Sequence, residues 1–331
     1  MLDLKIDLEN IDIKENDILK KYPKILEILL MDRTTSKNIL WMTDNYIKHG
    51  PRYKIETEIL VESISGYNGQ IIKPRIKKSK AEQVSRTKNK AEIFTPSWIC
   101  NKQNNLIDNA WFGKQKIFNS EYGEKWVATK NKINFPNDKD KSWKNYVKLS
   151  RLEISCGEAP YLVSRYDTKT GDFINISYRI GLLDRKLRVV SENTETMFDW
   201  LYWSKEAYKN IYGYEWQGDN LLLARENILY TFFDYYLAKF NNYNLSYDYL
   251  IEIAEIISWN IWQMDGIKFV VPLSCHNNTI IEPDFFEPKK IVNICEGCKT
   301  GDIKKHNGIY CKIMDWEINK TVKVISLLKG V

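Results

Sequence analysis

The chain has 331 residues, of which 44% are hydrophobic, 28% charged and 13% aromatic, a globular profile that excludes a disordered, collagenous or disulfide-dense protein. Such a length allows about two domains, or one large domain with insertions, and ample chain for a core. The net charge is +6, and its placement is more informative than its size.

The opening MLDLKIDLENIDIKEND alternates apolar and acidic residues and lacks the order of a secretory signal. No apolar run approaches the roughly 20 residues of a membrane helix, so no membrane association and a cytoplasmic location are expected. ILKKYPKILEILLMD reads as a helix broken near Pro23, and in RTTSKNILWMTDNY, residues 33–46, Trp41 and Tyr46 read as packing residues. From 73 to 90, Lys73, Arg75, Lys77, Lys78, Lys80, Arg86, Lys88 and Lys90 face the single acid Glu82, a basic loop suited to phosphates or simply to solvent. Residues 91–150 open with a compact motif and turn polar, NKINFPNDKDKS reading as an exposed loop. Between 151 and 272, strand-like RLEIS, NIYGYE and IKFVVPLS alternate with helix-like LLLARENILYTFFDYYLAKF and YLIEIAEIIS, which predicts a parallel α/β sheet. Residues 273–331 carry a cysteine cluster and a last strand-like segment, INKTVKVISLLKG. The expected organisation is therefore an N-terminal region (1–90), a central half-domain (91–272) and a small C-terminal module (273–331).

Two motifs carry the chemistry. In LEISCGEAPYL, residues 152–162, a strand ends at Gly157, where the missing Cβ lets the backbone pass close beneath a nucleotide. In NIYGYEWQGDNLLLARENIL, residues 210–229, a second strand ends at Glu215, where a carboxylate can accept from ribose hydroxyls. A tight turn and a surface glutamate would leave the same letters, so neither motif decides alone.

Their order is more specific. AEIFTPSWICNKQNN (91–105) resembles the Phe-Thr-Pro motif that precedes the core of amino-group DNA methyltransferases of restriction-modification systems. LEISCGEAPYL resembles their first cofactor motif, IYGYEWQGDNLLLAREN their second, and ISWNIWQMDGI (257–267) their third. The resemblance implies adenine-N6 methylation of double-stranded DNA with S-adenosylmethionine, on a Rossmann-like α/β core with an N-terminal helical and mixed region. It implies that Phe94, Thr95 and Pro96 lie by the methionine part of the cofactor, and that Glu153, Ser155, Gly157, Ala159 and Tyr161 form the loop beneath it. Glu215 would bind the ribose, Trp216 pack on the adenine ring, and Asp265 accept from the adenine amino group. Ala159 replaces the family's second glycine and is followed by Pro160; alanine permits close approach if its φ stays negative. Residues 33–46 resemble a recurrent N-terminal feature of split or fused members, with no role attached.

The family positions the target amino group with an Asn-Pro-Pro-aromatic motif, and no two of the nine prolines here adjoin. The sequence ends at KVISLLKGV, where the family would continue into the catalytic strand. Two expectations follow. In the first, this chain is the cofactor half of a split enzyme, supplies no catalytic residue, and needs a second subunit with the Asn-Pro-Pro-aromatic motif and the recognition domain. In the second, it is a noncatalytic relative that binds DNA or regulates a restriction system.

CEGCKTGDIKKHNGIYC presents Cys295, Cys298, His306 and Cys311 at a spacing that permits a structural tetrahedral zinc site. Cys275 or His276 in LSCHNN would supply the fourth position if His306 does not. PDFFEPK, residues 283–289, holds the letters of a nuclease motif but too few residues for the turn between its parts, and is set aside. Because the basic loop runs into Phe94, its Lys77, Lys78, Lys80 and Arg86 are expected to contact DNA phosphates.

Overall fold

The computed structural model describes residues 11–90, 92–242, 245–282 and 289–328, so the nuclease-like letters at 283–288 lie outside the described residues. Pro23 lacks an N–H and starts a new helix at its first position. It therefore divides the expected N-terminal helix into α1, Glu15–Lys21, and α2, Pro23–Leu30. α2 buries Ile25, Leu26, Ile28, Leu29 and Leu30 in the main core. Trp41 and Tyr46 pack with ring centroids 4.7 Å apart, as expected for residues 33–46.

The basic stretch is not a loop along its second half. α3 spans Lys80–Lys90, and after the Phe94-Thr95-Pro96 segment α4 spans Ser97–Phe112. The centre is a parallel sheet of β1 (Arg151–Glu153), β2 (Ile211–Glu215) and β3 (Ile261–Gln263), in that order, with Glu153 opposite Gly213 and Glu215 opposite Gln263. Helices α5 (Leu182–Asn193) and α6 (Met197–Lys209) lie between β1 and β2, and α7 (Gly218–Phe240) and α8 (Tyr247–Asn260) between β2 and β3.

α7 is buried all round from Gly218 to Tyr236, the mark of a helix inside the core rather than on its surface. Its polar residues act as ties. Arg225 donates to the carbonyls of Leu29, Met31, Ser258 and Ile261, joining the N-terminal region to α8 and β3. Asn227 donates to the Glu158 carbonyl at 3.2 Å, which fixes the loop after β1. One core accordingly runs from Ile13 to Ile261.

Side chains alternate across the sheet. Ile211 and Ile261 face the helices, whereas Tyr212, Tyr214, Trp262 and Met264 face a second, smaller core with Ile313 and Val324. These last two come from an antiparallel hairpin of β4 (Lys312–Asp315) and β5 (Lys320–Lys323) and the residue that follows it. The last segment thus joins no parallel sheet, because it pairs with its own neighbour. IKFVVPLS likewise forms no strand, only single bridges from Val270 to Asp265 and to Tyr310.

The basic segment is tied down by buried charge. Arg86 is fully buried, with ion pairs to Glu92 at 2.6 Å and Asp219 at 2.8 Å. Lys78 reaches Asp219 at 3.3 Å, and the Tyr46 hydroxyl donates to the same carboxylate at 2.8 Å. Arg86 and Lys78 are therefore not free to meet DNA phosphates, which corrects the expectation for those two residues; Lys77 and Lys80 are exposed. Burial would raise the Asp219 carboxyl, but Arg86 and Lys78 outweigh it and hold the group well below its ordinary range.

Removing one member of a buried ion pair strands its partner, so Arg86→Ala should cost about 3–5 kcal/mol in urea denaturation. Lys77→Ala and Lys80→Ala should stay within about 0.5 kcal/mol of the parent. Because the folded-state pKa of Asp219 is depressed, its contribution is complete above pH ~4 and fades as pH falls further. Acid titration of stability in the parent and in Arg86→Ala checks this, since the variant should lose most of that dependence.

Candidate functional site

The carboxyl ends of β1 and β2 bring three distant segments together. Cys156 N–H donates to the Tyr214 carbonyl at 2.9 Å, and Gly157 N–H donates to Glu215 Oε2 at 2.9 Å. A Cβ on Gly157 would meet the Phe94 ring at 3.5 Å, so the ring lies directly over this turn. Phe94, Gly157 and Glu215 are thus neighbours in space.

Glu153 points into the same turn and accepts from the N–H groups of Tyr161 and Leu162 at 3.3 and 3.1 Å. Burial pushes the carboxyls of Glu153 and Glu215 up. Glu215 Oε1 also accepts from Gln217 N–H at 3.1 Å, so each of its oxygens already holds one backbone donor. The backbone N–H of Trp216 also acts on this carboxylate, so three backbone donors surround it. The Thr95 carbonyl accepts from Thr168 Oγ1 at 3.0 Å, the side chain of Tyr161 lies by Thr95 and Cys100, and the Pro96 carbonyl begins α4 by accepting from Ile99 N–H.

Ser155, Gly157 and Ala159 all have positive φ, at 48°, 53° and 63°. This corrects the condition placed on Ala159: its φ is not negative. A fully buried alanine here occupies a left-handed position that favours glycine, at a cost of roughly 1–2 kcal/mol. The surrounding bonds, including Ala159 N–H to the Cys156 carbonyl at 2.7 Å, hold it there.

Trp216 is 36% exposed just beyond Glu215. Asp265 lies one strand over, where Met264 N–H donates to the Glu215 carbonyl at 3.1 Å. Its Oδ1 accepts from the N–H groups of Ile267 and Lys268, and its Oδ2 pairs with Lys268 at 3.4 Å. Glu215, Trp216 and Asp265 therefore line one end of the sheet.

A second site lies beyond Asp265. Cys275, Cys295, Cys298 and His306 place their ligand atoms within 4.8 Å of one another. The three sulfurs lie 3.6, 3.7 and 3.6 Å from His306 Nδ1. Zinc bonds of about 2.3 Å to sulfur and 2.0–2.1 Å to nitrogen, at tetrahedral angles, put S and N about 3.6 Å apart. The cluster can hold a metal ion, and its geometry is consistent with zinc.

Close approach makes the site. A Cβ on Gly297 would fall 2.6 Å from His306 Nδ1, and one on Gly308 would fall 2.9 Å from Cys275 Sγ. Asn307 N–H donates to Cys295 Sγ at 3.3 Å. Although burial opposes it, that bond and the nearby Cys298 and His306 groups bring Cys295 down to about 6, while burial and the neighbouring thiols take Cys275 up to about 12. A bound cation would hold both as thiolates, which for Cys275 means displacing its proton.

Cys311 is not a ligand in this arrangement. Its sulfur donates to the Gln263 carbonyl at 3.4 Å in the smaller core, and burial raises its thiol. His306 is a member and Cys275 takes the remaining place; the signal for Cys275 was its position in LSCHNN, while His276 is exposed.

Among the described residues both β1 and β3 are edge strands of this sheet. Among the described residues the outer edge of β1 pairs with nothing, and Leu152 and Ile154 beside it are 55% and 66% exposed. A groove of about 1260 Å³ runs along this face, lined by Leu152, Tyr212, Tyr214, Trp262, Phe269 and Leu328. No described helix is long and apolar enough to cross a membrane.

Metal analysis of the purified chain should find one ion per chain. Cys275→Ser and Cys298→Ser should lose it and Cys311→Ser retain it; the opposite pattern for Cys275 and Cys311 would restore the set read from spacing. No protein-family model matches the chain, and no curated protein or solved structure matches it.

Proposed function

We propose that the chain is the S-adenosylmethionine-binding half of a split adenine-N6 DNA methyltransferase of a restriction-modification system, inactive without a second subunit. The observation that carries this reading is the meeting of Phe94, Gly157 and Glu215 at the carboxyl ends of two parallel strands, where α/β sheets place nucleotide ligands. In this reading the fold is an incomplete Rossmann-like methyltransferase core, and zinc fills the Cys3His cluster as a structural ion.

The free β1 edge and the apolar face beside it support the need for a partner. Parallel sheets occur almost only with both faces covered, and an open edge offers unpaired donors and acceptors to another chain. The partner would add a strand along β1 and a helix over Leu152 and Ile154.

The chemistry needs positioning more than reactive side chains here. The target adenine leaves the duplex, and its N6 attacks the sulfonium methyl carbon in line. The C–N bond forms as the C–S bond breaks, S-adenosylhomocysteine leaves, and N6 gives up a proton to the partner's site or to water. Lys77 and Lys80, both exposed, would meet phosphates.

The engagement of both Glu215 oxygens by backbone N–H groups, with Ala159 at positive φ, favours the noncatalytic alternative. One assay separates the two. The chain, the product of the adjacent reading frame, and DNA are mixed with cofactor labelled in the methyl group. Transfer only in the full mixture is expected, and Lys77→Ala with Lys80→Ala should lower the salt slope of DNA binding by about one for each phosphate no longer neutralised. A mixture that binds DNA but transfers no methyl group would select the noncatalytic protein.

A further inference from the structure

The metal cluster and the Asp265 turn belong to one small ladder. Val271 N–H donates to the Ile309 carbonyl at 2.8 Å, and Cys311 N–H to the Phe269 carbonyl at 3.0 Å. Val270 bridges both Asp265 and Tyr310, and Asp265 N–H donates to the Val270 carbonyl at 2.9 Å. At the metal end, His306 N–H donates to the Tyr310 hydroxyl at 3.1 Å, and Ile309 N–H donates to Ser274 Oγ at 3.0 Å. Two ligands, Cys275 and His306, therefore bracket the strand-like pair whose far end is the Asp265 turn.

Val271 and Cys311 anchor this pair in the smaller core, but its ladder is short. It forms only single bridges, and Phe269 and Leu273 sit at φ of 61° and 60°, a region that L side chains enter at a cost. Strained residues persist only where their surroundings over-determine them, and a four-ligand ion is such a restraint. Lys268, paired with Asp265, also feels the thiols of Cys298 and Cys275, so charge at the cluster reaches the turn directly.

We infer that an ion held by Cys275, Cys295, Cys298 and His306 clasps the 265–273 turn, and through Asp265 sets how tightly the adjacent pocket holds an adenine ring. The first half stands on the cluster alone; the second rests on the cofactor reading above.

Hydrogen exchange on the full chain tests the clasp, before and after stripping zinc with a strong chelator, and in Cys298→Ser, whose thiol is exposed and outside the ladder. The amides of Asp265, Val271 and Cys311 should lose protection at least tenfold while those of α7 stay protected, and added zinc should restore the parent but not the variant. Unchanged exchange at 265–271 with the metal demonstrably gone would overturn the clasp. So would equal loss across α7, which would make the ion a general brace. S-adenosylmethionine titrated in parallel should bind tenfold or more weakly without metal. Unchanged affinity despite faster exchange would overturn the link to the pocket. No binding by the zinc-loaded parent would remove the cofactor reading, leaving the exchange data to decide the clasp.

Discussion

A buried carboxylate must be answered by charge or hydrogen bonds, and Asp219 is answered by three segments at once. It stands in the first turn of α7, where the helix dipole favours an anion, and it draws Lys78, Arg86 and Tyr46 to that point. Arg86 in turn holds Glu92, two residues before Phe94. The ring over Gly157 is therefore placed by an ion cluster that takes no part in the site's own chemistry. Without it, α3 and the Phe94-Thr95-Pro96 segment would have little reason to lie across the strand ends.

The sheet beneath gives the opposite impression. Its helical face is closed by α7 and α8, and its other face is closed only where β4 and β5 reach. Burying Leu152 and Ile154 against a partner would contribute about 25 cal/mol per Å² of apolar surface covered. Because the edge beside them also lacks a ladder, one incoming strand with its helix would satisfy both needs.

Much of this was legible in the chain. Pro23 marks the break between α1 and α2 because proline starts helices and cannot continue them. The alternation of strand and helix over 151–272 gives a parallel sheet, although its third strand is Ile261–Gln263 and not IKFVVPLS, and Glu215 ends its second strand. What was not legible depends on tertiary partners. Composition cannot tell a phosphate-binding cation from one paired in the core, so Lys78 and Arg86 read as surface charge until Asp219 is seen beside them. Spacing likewise cannot choose between Cys275 and Cys311, since the deciding fact is the turn that folds LSCHNN back onto Gly308. IKFVVPLS has the composition of a strand but meets only single-residue partners.

The proposed function depends on whether the strand ends hold the cofactor. The most direct measurement is calorimetric titration of S-adenosylmethionine into the zinc-loaded chain and into Trp216→Ala, whose exposed side chain can be removed without opening the core. One site per chain is predicted, weakened roughly tenfold in the variant, since stacking on an aromatic ring contributes about 1–3 kcal/mol per base. No binding by the parent, or identical binding by the variant, would contradict it.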